Sequence, residues 1–313
     1  MANRPTPAHG EERAQVVPLL DAVKVQTGLW GRPRKRRKVT AMGINLITFN
    51  VFADLARPRP LSVWQEQVPA WEERKAFCVQ TLHHARPSII GLQEVHPHQF
   101  HFLQSYLSEF RAITVTDTTT QDAALLQALW ETLNLRAIPT PHEVVLFFRT
   151  QEFDQITTGY WSLSPTPEAP SLAFGSLFPC AALWGHLRHR ASGHEVIIFN
   201  THLDPRCLLP MVELCREQIA AVTPRGVPLI FLGDFNCTPT HDAYALLTND
   251  GWQDAHVAAS TTSEATHMSG RRIDHIFYRG AGVTPQTWTL LVSPDSQRPL
   301  SDHHPVSVRL RVE

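Results

Sequence analysis

The chain lacks the features that mark several protein classes. Its five cysteines (Cys78, Cys180, Cys207, Cys215 and Cys237) are odd in number and include no CxxC pair. A disulfide framework and a cysteine-built zinc site are set aside, and a reducing compartment is expected. No apolar run approaches bilayer-spanning length, and the first residues are polar, without the apolar segment of a signal peptide. The expectation is a soluble cytoplasmic protein with no membrane partner and no obligate protein partner. Internal repeats and low-complexity tracts are absent beyond residue 42. The body also lacks a cationic excess. Of 28 Lys/Arg and 29 Asp/Glu, residues 1–42 hold nine and three, leaving 19 and 26 for residues 43–313. A body at about −7 is poorly suited to gripping long nucleic acid by charge alone.

What is present is material for a sizeable core: 313 residues, 43% of them hydrophobic, enough for one large α/β domain over 43–313. Residues 1–42 read as a disordered basic tail whose Arg32-Pro33-Arg34-Lys35-Arg36-Arg37-Lys38 run carries six cations in seven positions. In a eukaryotic cell that run is suited to nuclear import or to tethering nucleic acid. Met42 stands directly before the first strand and offers an alternative start.

The stretch Leu229 to Pro239, LIFLGDFNCTP, organises the rest. Four apolar residues with the length of a buried strand end at Gly233, and Asp234 and Asn236 follow two residues apart. If the extension persists, both side chains point the same way into a cleft at the strand end; the alternative is a strand running into an Asp-Asn turn. Further strands are expected over 44–49, 88–92, 144–148, 181–189, 195–199, 272–278 and 306–312. Helices are expected over 71–85, 99–110, 120–135, 211–222 and 240–249. The 272–278 strand is expected to alternate inside and out.

Strand after strand ends in a residue suited to metal or phosphate chemistry: Asn50, Glu94, His202, Asp234 with Asn236, Asp274, and Asp302 with His303. Each has an ordinary alternative. Asn50 could terminate a strand, Glu94 could cap a helix, His202 could be a satisfied loop histidine, and Asp274 could pair with Arg271 or Arg272. The repetition points elsewhere. Carboxylates with amides make a hard-oxygen site suited to Mg²⁺ or Mn²⁺, and histidines beside it can donate to a phosphate oxygen.

In order, TFNV around Asn50, GLQEV around Glu94, NTHL at 200–203, GDFN at 233–236, RIDHIF at 272–277 and SDHHPV at 301–306 resemble the endonuclease/exonuclease/phosphatase superfamily. The resemblance covers residues 44–312 and implies a four-layer α/β sandwich, two packed mixed β-sheets flanked by helices, with the site along one edge. It implies Glu94 as main metal ligand, Asn50 beside it in the metal group, and Asp302 near a metal position. It further implies Asp234 as the group that aims or deprotonates the attacking water, Asn236 as a phosphate contact, and His303 as the phosphate-contacting histidine. Asp274 would fix the His303 tautomer, and His202 would be a second phosphate-side histidine. Pro141 to Arg149, PHEVVLFFR, is similar to a segment of the deoxyribonuclease branch, which makes Glu143 a candidate partner of His202; the alternative is an exposed strand-start residue.

Substrate signals are thinner. Trp71-Glu72-Glu73-Arg74-Lys75 resembles the WxxRK helix of poly(A)-removing nucleases and bacterial relatives, and GDFNCTPTHDAY resembles their GDFNxxPxSxxY with His241 in place of Ser. Gly159 to Glu168 is similar to a bacterial FWLSxTPExP segment, but the WDAA-like stretch that follows there is Phe178-Pro179-Cys180-Ala181-Ala182 here. The expectation is a Mg²⁺-dependent (or Mn²⁺-dependent) phosphodiesterase or phosphatase acting on a compact phosphoester, nucleotide or nucleic-acid end. The alternatives are a lipid-headgroup phosphodiesterase, a silent binding scaffold, and a nucleic-acid-binding tail with an incidental domain.

Overall fold

A computed structural model describes residues 41–53, 67–115, 144–168, 171, 174–176, 179–259 and 265–313. The chain divides into Met1–Val39 and Thr40–Glu313, and every described residue lies in the second unit. The expected 120–135 helix and Glu143 fall outside the described residues.

The strands are β1 (Met42–Asn50), β2 (Ile89–Gln93), β3 (Phe110–Ile113), β4 (Val144–Arg149), β5 (Phe153–Ser162), β6 (Ala181–His189), β7 (Glu195–His202), β8 (Leu229–Asp234), β9 (Gln253–Asp254), β10 (Asp274–Arg279), β11 (Val283–Leu290) and β12 (Val306–Val312). The described helices are α1 (Trp71–Ala85), α2 (Pro97–Tyr106), α3 (Leu208–Val222), α4 (Asp242–Asn249) and α5 (Ala255–Ala259). Among the described residues the strands form two six-stranded sheets, in the orders β11-β12-β1-β2-β4-β3 and β5-β6-β7-β8-β10-β9. Both are mixed, because β1–β2 and β7–β8 run parallel while the other pairings are antiparallel.

Period-two alternation builds the layers. On β1, Ile44 and Leu46 face a core shared with Ile198, Ile230 and Leu232 of the second sheet. The alternate residues Ile47 and Phe49 pack with Trp71, Val79, Phe100 and Leu103 from α1 and α2. On the far side, Phe199, Phe231 and Phe277 pack against Met211, Cys215 and Leu247 from α3 and α4. The order helices, sheet, sheet, helices is the expected four-layer sandwich. One expectation needs correction: β10 does not alternate inside and out. Ile276 and Tyr278 face the inter-sheet core while Phe277 faces the helix-side core, so both faces are buried.

A polar staple joins the sheets at Asn200. Asn200 on β7 donates to the Leu92 and Val145 carbonyls at 3.0 and 2.9 Å and accepts from Gln93 Nε2 at 2.7 Å. Gly91 makes the approach feasible, since a Cβ there would lie 2.0 Å from Leu232 Cδ1 and 3.0 Å from the Asn200 amide. Buried amides that find partners on the opposite sheet fix register as well as adding stability. Glu94 and His202, just beyond Gln93 and Asn200, line one cleft.

Candidate active site

The site is built at the C-terminal ends of β1, β2, β7 and β8, the start of β10 and the loop before β12. Its centre is Asp234, the last residue of β8, 1% exposed. Gly233 just before it has φ 149°, and a Cβ there would lie 2.1 Å from the Thr201 carbonyl oxygen, so only glycine lets β7 and β8 close at this point. Asp234 Oδ2 accepts from Asn50 Nδ2 at 3.1 Å and lies 3.5 Å from His202 Nε2 and 3.6 Å from His303 Nε2. Its other oxygen accepts the Asn236 backbone N–H at 2.9 Å.

Asn50 is a bridge. Its Oδ1 accepts the Phe52 N–H at 3.0 Å, which fixes the amide so that Nδ2 faces Glu94 Oε1 at 3.0 Å as well as Asp234. In this orientation it offers hydrogens to the two carboxylates. Glu94 Oε2 accepts the Ala53 N–H at 3.0 Å. Glu94 and Asn236 both hold left-handed backbone, with φ 57° and 51°; for Glu this conformation is uncommon and marks a side chain aimed by its surroundings. Asn236 Nδ2 donates to the Leu203 carbonyl at 2.8 Å, tying the loop after β8 to the loop after β7.

His303 Nδ1 donates to Asp274 Oδ2 at 2.8 Å. Burial alone would lower the imidazole pKa, but the Asp274 and Asp234 carboxylates outweigh it and push it up to about 10. The ring is therefore an imidazolium at neutral pH, with Nδ1–H on Asp274 and Nε2–H toward Asp234. The suggested pairing of Asp274 with Arg271 or Arg272 does not occur, because Arg272 bonds Asp254 at 2.6 Å. Asp302 accepts from Ser301 Oγ at 3.1 Å. Burial would raise its pKa, but His267, His303 and Ser301 hold it below the usual carboxylate range.

Sequence reasoning brought Asn50, Glu94, His202, Asp234, Asn236, Asp274 and His303 together, and the structure joins them in one contact network. It missed His267, whose Nε2 lies 3.6 Å from Asp302 Oδ2 and whose ring sits 4.6 Å from that of His303. It also missed Asp204 and Arg206, an ion pair in which Arg206 Nε donates at 2.8 Å and Ser176 Oγ adds a bond at 2.8 Å. Burial would raise Asp204, but Arg206 and Ser176 hold its pKa at about 2. A cleft of about 350 Å³ is lined by Glu94, His202, Asp204, Arg206 and Asn236. A second cavity of about 540 Å³ reaches His303 and is lined by Met268, Leu291, Arg298 and Leu300. Among the described residues, His267, Asp302 and His303 form one triad with donor atoms within 4.8 Å, and Asp234, Asp274 and His303 form another. All five cysteines are free and buried; burial pushes Cys215 and Cys237 up to about 12, so neither is a nucleophile at neutral pH.

Arg74 accounts for the WEERK resemblance in structural terms. Only 1% exposed, it donates to the Val51, Phe52, Pro69 and Leu300 carbonyls, the last two at 3.1 and 2.7 Å. It thus clamps the loop after Asn50 to the loop before Asp302.

The chain is 25% identical over 233 residues to Nocturnin from Xenopus laevis, across 66% of this chain and 54% of that protein, so it spans about half the length of that relative. In fold it is similar to the Bacteroides thetaiotaomicron mannosyl-6-phosphatase (22% identity, TM-score 0.68, covering 85% of this chain and 99% of the other). It is likewise similar to the human Nocturnin catalytic domain with bound sulfate (20% identity, TM-score 0.65, covering 87% and 94%). At these identities the structural likeness is one of fold. The sequence pattern of the Endonuclease/Exonuclease/phosphatase family matches residues 47–303, from the middle of β1 to His303. That span takes in every strand end described above, and on it the chain belongs to the Endonuclease/Exonuclease/phosphatase family.

Proposed function

We propose that the chain is a divalent-metal-dependent phosphoesterase that cleaves a compact phosphoester by in-line attack of water. The observation that supports this best is Asp234 Oδ2 standing within 3.1 to 3.6 Å of Asn50, His202 and His303, donors from three separate segments. A carboxylate so placed aims and accepts a proton from water, while the two histidines donate to phosphate oxygens in the developing transition state. His303 is suited to that part because Asp274 keeps it charged. Asn236 adds a polar contact at the same cleft.

The donor set fits a hard cation. Glu94 and Asp302 would supply carboxylate oxygens, and Asn50 Nδ2 fixes Glu94 Oε1 and Asp234 Oδ2 by donating to both. Bound there, Mg²⁺ or Mn²⁺ would neutralise charge on the non-bridging and leaving oxygens. Both cavities are of small-molecule size, and each carries one arginine, Arg206 or Arg298. With an acidic body, this favours a nucleotide, sugar phosphate or nucleic-acid end over long duplex. The relative named for mannosyl-6-phosphate and the sulfate in human Nocturnin support a phosphate-sized anion. The activity resides in residues 43–313, and cellular placement is cytoplasmic.

The test is a length series with Mg²⁺ or Mn²⁺: p-nitrophenyl phosphate, a nucleoside monophosphate, a dinucleotide, single-stranded oligonucleotides and long duplex DNA. Highest kcat/KM on one of the first three supports the reading, as does retained turnover after removal of residues 1–41. Preference for long duplex would contradict it.

A further inference from the structure

His267 lies outside every sequence motif, yet its place in the fold is tightly set. The segment carrying it is laid along the loop before β12. The Met268 N–H donates to the Asp302 carbonyl at 2.9 Å, the His304 N–H donates to the Thr266 carbonyl at 2.7 Å, and His267 and His303 face each other as bridge partners. The ring is buried, 9% exposed, and stands edge-on to His303.

Proximity alone would make His267 a metal ligand with Asp302 and His303. Its tautomer argues otherwise. The Ser269 backbone N–H, which can only donate, reaches His267 Nδ1 at 2.9 Å. Ser269 Oγ sits 2.7 Å from the same nitrogen and itself accepts from Arg271 Nε at 3.2 Å. Nδ1 is therefore an acceptor without a hydrogen, and the proton of the ring is on Nε2. Nε2 is the atom that faces Asp302 Oδ2 at 3.6 Å, and a nitrogen carrying hydrogen has no lone pair to give a metal. His303 is likewise committed, with Nδ1 on Asp274.

We infer that His267 is a positioning residue for Asp302: its Nε2–H, locked in place by Ser269, steers one Asp302 oxygen so that the other is presented to a divalent cation. This rests on the metal-dependent reading above and assigns the orienting group that ligating carboxylates commonly require. Ser301 Oγ, which donates to Asp302 Oδ1, complements it.

The experiment measures Mn²⁺ affinity of the full chain by calorimetry, without substrate, for wild type, His267→Phe and His267→Gln. Phe keeps a ring and removes the donor; Gln places an amide N–H near the Nε2 position. Weakening of Mn²⁺ binding by about 10- to 100-fold in His267→Phe, with recovery to within a few-fold in His267→Gln, supports the assignment. Unchanged affinity in His267→Phe while wild type binds overturns it and leaves the metal reading standing. No Mn²⁺ binding by wild type overturns both. A parallel ¹⁵N spectrum of the wild-type histidine side chains needs no variant to fold. A hydrogen on His267 Nε2 supports the assignment, and a hydrogen on Nδ1 overturns it.

Discussion

His303 and Asp274 are joined through Nδ1 and Oδ2 at 2.8 Å, and the same ring turns Nε2 toward Asp234 at 3.6 Å. The first contact sets tautomer and charge for the second. Asp274→Asn removes the charge and offers an amide in its place, so kcat is expected to fall about 10³-fold with little change in KM, by analogy with the orienting aspartate of other Asp–His pairs. Steady-state kinetics check this. The same pair has a pH signature. Because the folded pKa of His303 is raised to about 10, its stabilisation is fully present below about 6.5 and is lost as pH rises through the folded value. Proton NMR of the metal-free protein should show His303 titrating well above the ordinary histidine value in wild type and lower in Asp274→Asn; a wild-type midpoint near 6.5 would contradict the account.

Arg74→Met should destabilise the protein by about 3 kcal/mol or more, because buried carbonyls lose charged donors that no apolar side chain replaces. Urea unfolding measures this. Activity in folded protein should fall too, since the clamped loops flank Asn50 and Asp302.

A second buried pair is structural. Asp254 Oδ2 accepts from Arg272 and Tyr244 at 2.6 and 3.0 Å and lies 3.3 Å from His275 Nδ1, while His275 Nε2 reaches the Cys237 carbonyl at 2.9 Å. The chain of contacts props the loop just past Asn236. Burial would raise the Asp254 pKa, but His275 and Arg272 hold it well below the usual carboxylate range. A depressed pKa contributes stability that is present above the unfolded value near 3.9 and lost as pH falls through the folded one. The stability gap between wild type and Asp254→Asn, about 3 kcal/mol at pH 7, should hold steady from pH 8 to 5 and shrink below 4. A gap that closed between pH 7 and 5 would count against this pairing.

The central strands and the residues at their ends were legible because buried apolar runs stop abruptly at polar groups. β7 and β8 run as far as His202 and Asp234, but the extension does not persist to Asn236, which has φ 51° and returns its N–H to Asp234 Oδ1 at 2.9 Å, so the strand runs into the Asp-Asn turn that was the alternative. The edges were not legible. β11 carries Pro285, and a register shift between Pro285 and Thr287 accommodates it, but a proline in a half-exposed run reads as loop. β5 is half-exposed over most of its length and has its own shift between Gln155 and Thr157. β3 is a short edge strand hidden behind α2, which ends at Tyr106 rather than Phe110. His267 was invisible for a different reason: its neighbours in space, Asp302 and His303, lie more than thirty positions away. A Thr-His-Met stretch in a loop has no periodicity to betray it.

The most direct measurement is turnover of bis-p-nitrophenyl phosphate by protein stripped with chelator and then supplied with Mg²⁺ or Mn²⁺, wild type beside Glu94→Gln and His303→Ala. The account predicts no turnover when stripped, recovery on adding metal, and loss of about 10²-fold or more in each folded variant. Turnover that survives stripping, or that persists in both variants, would contradict the assignment of this site.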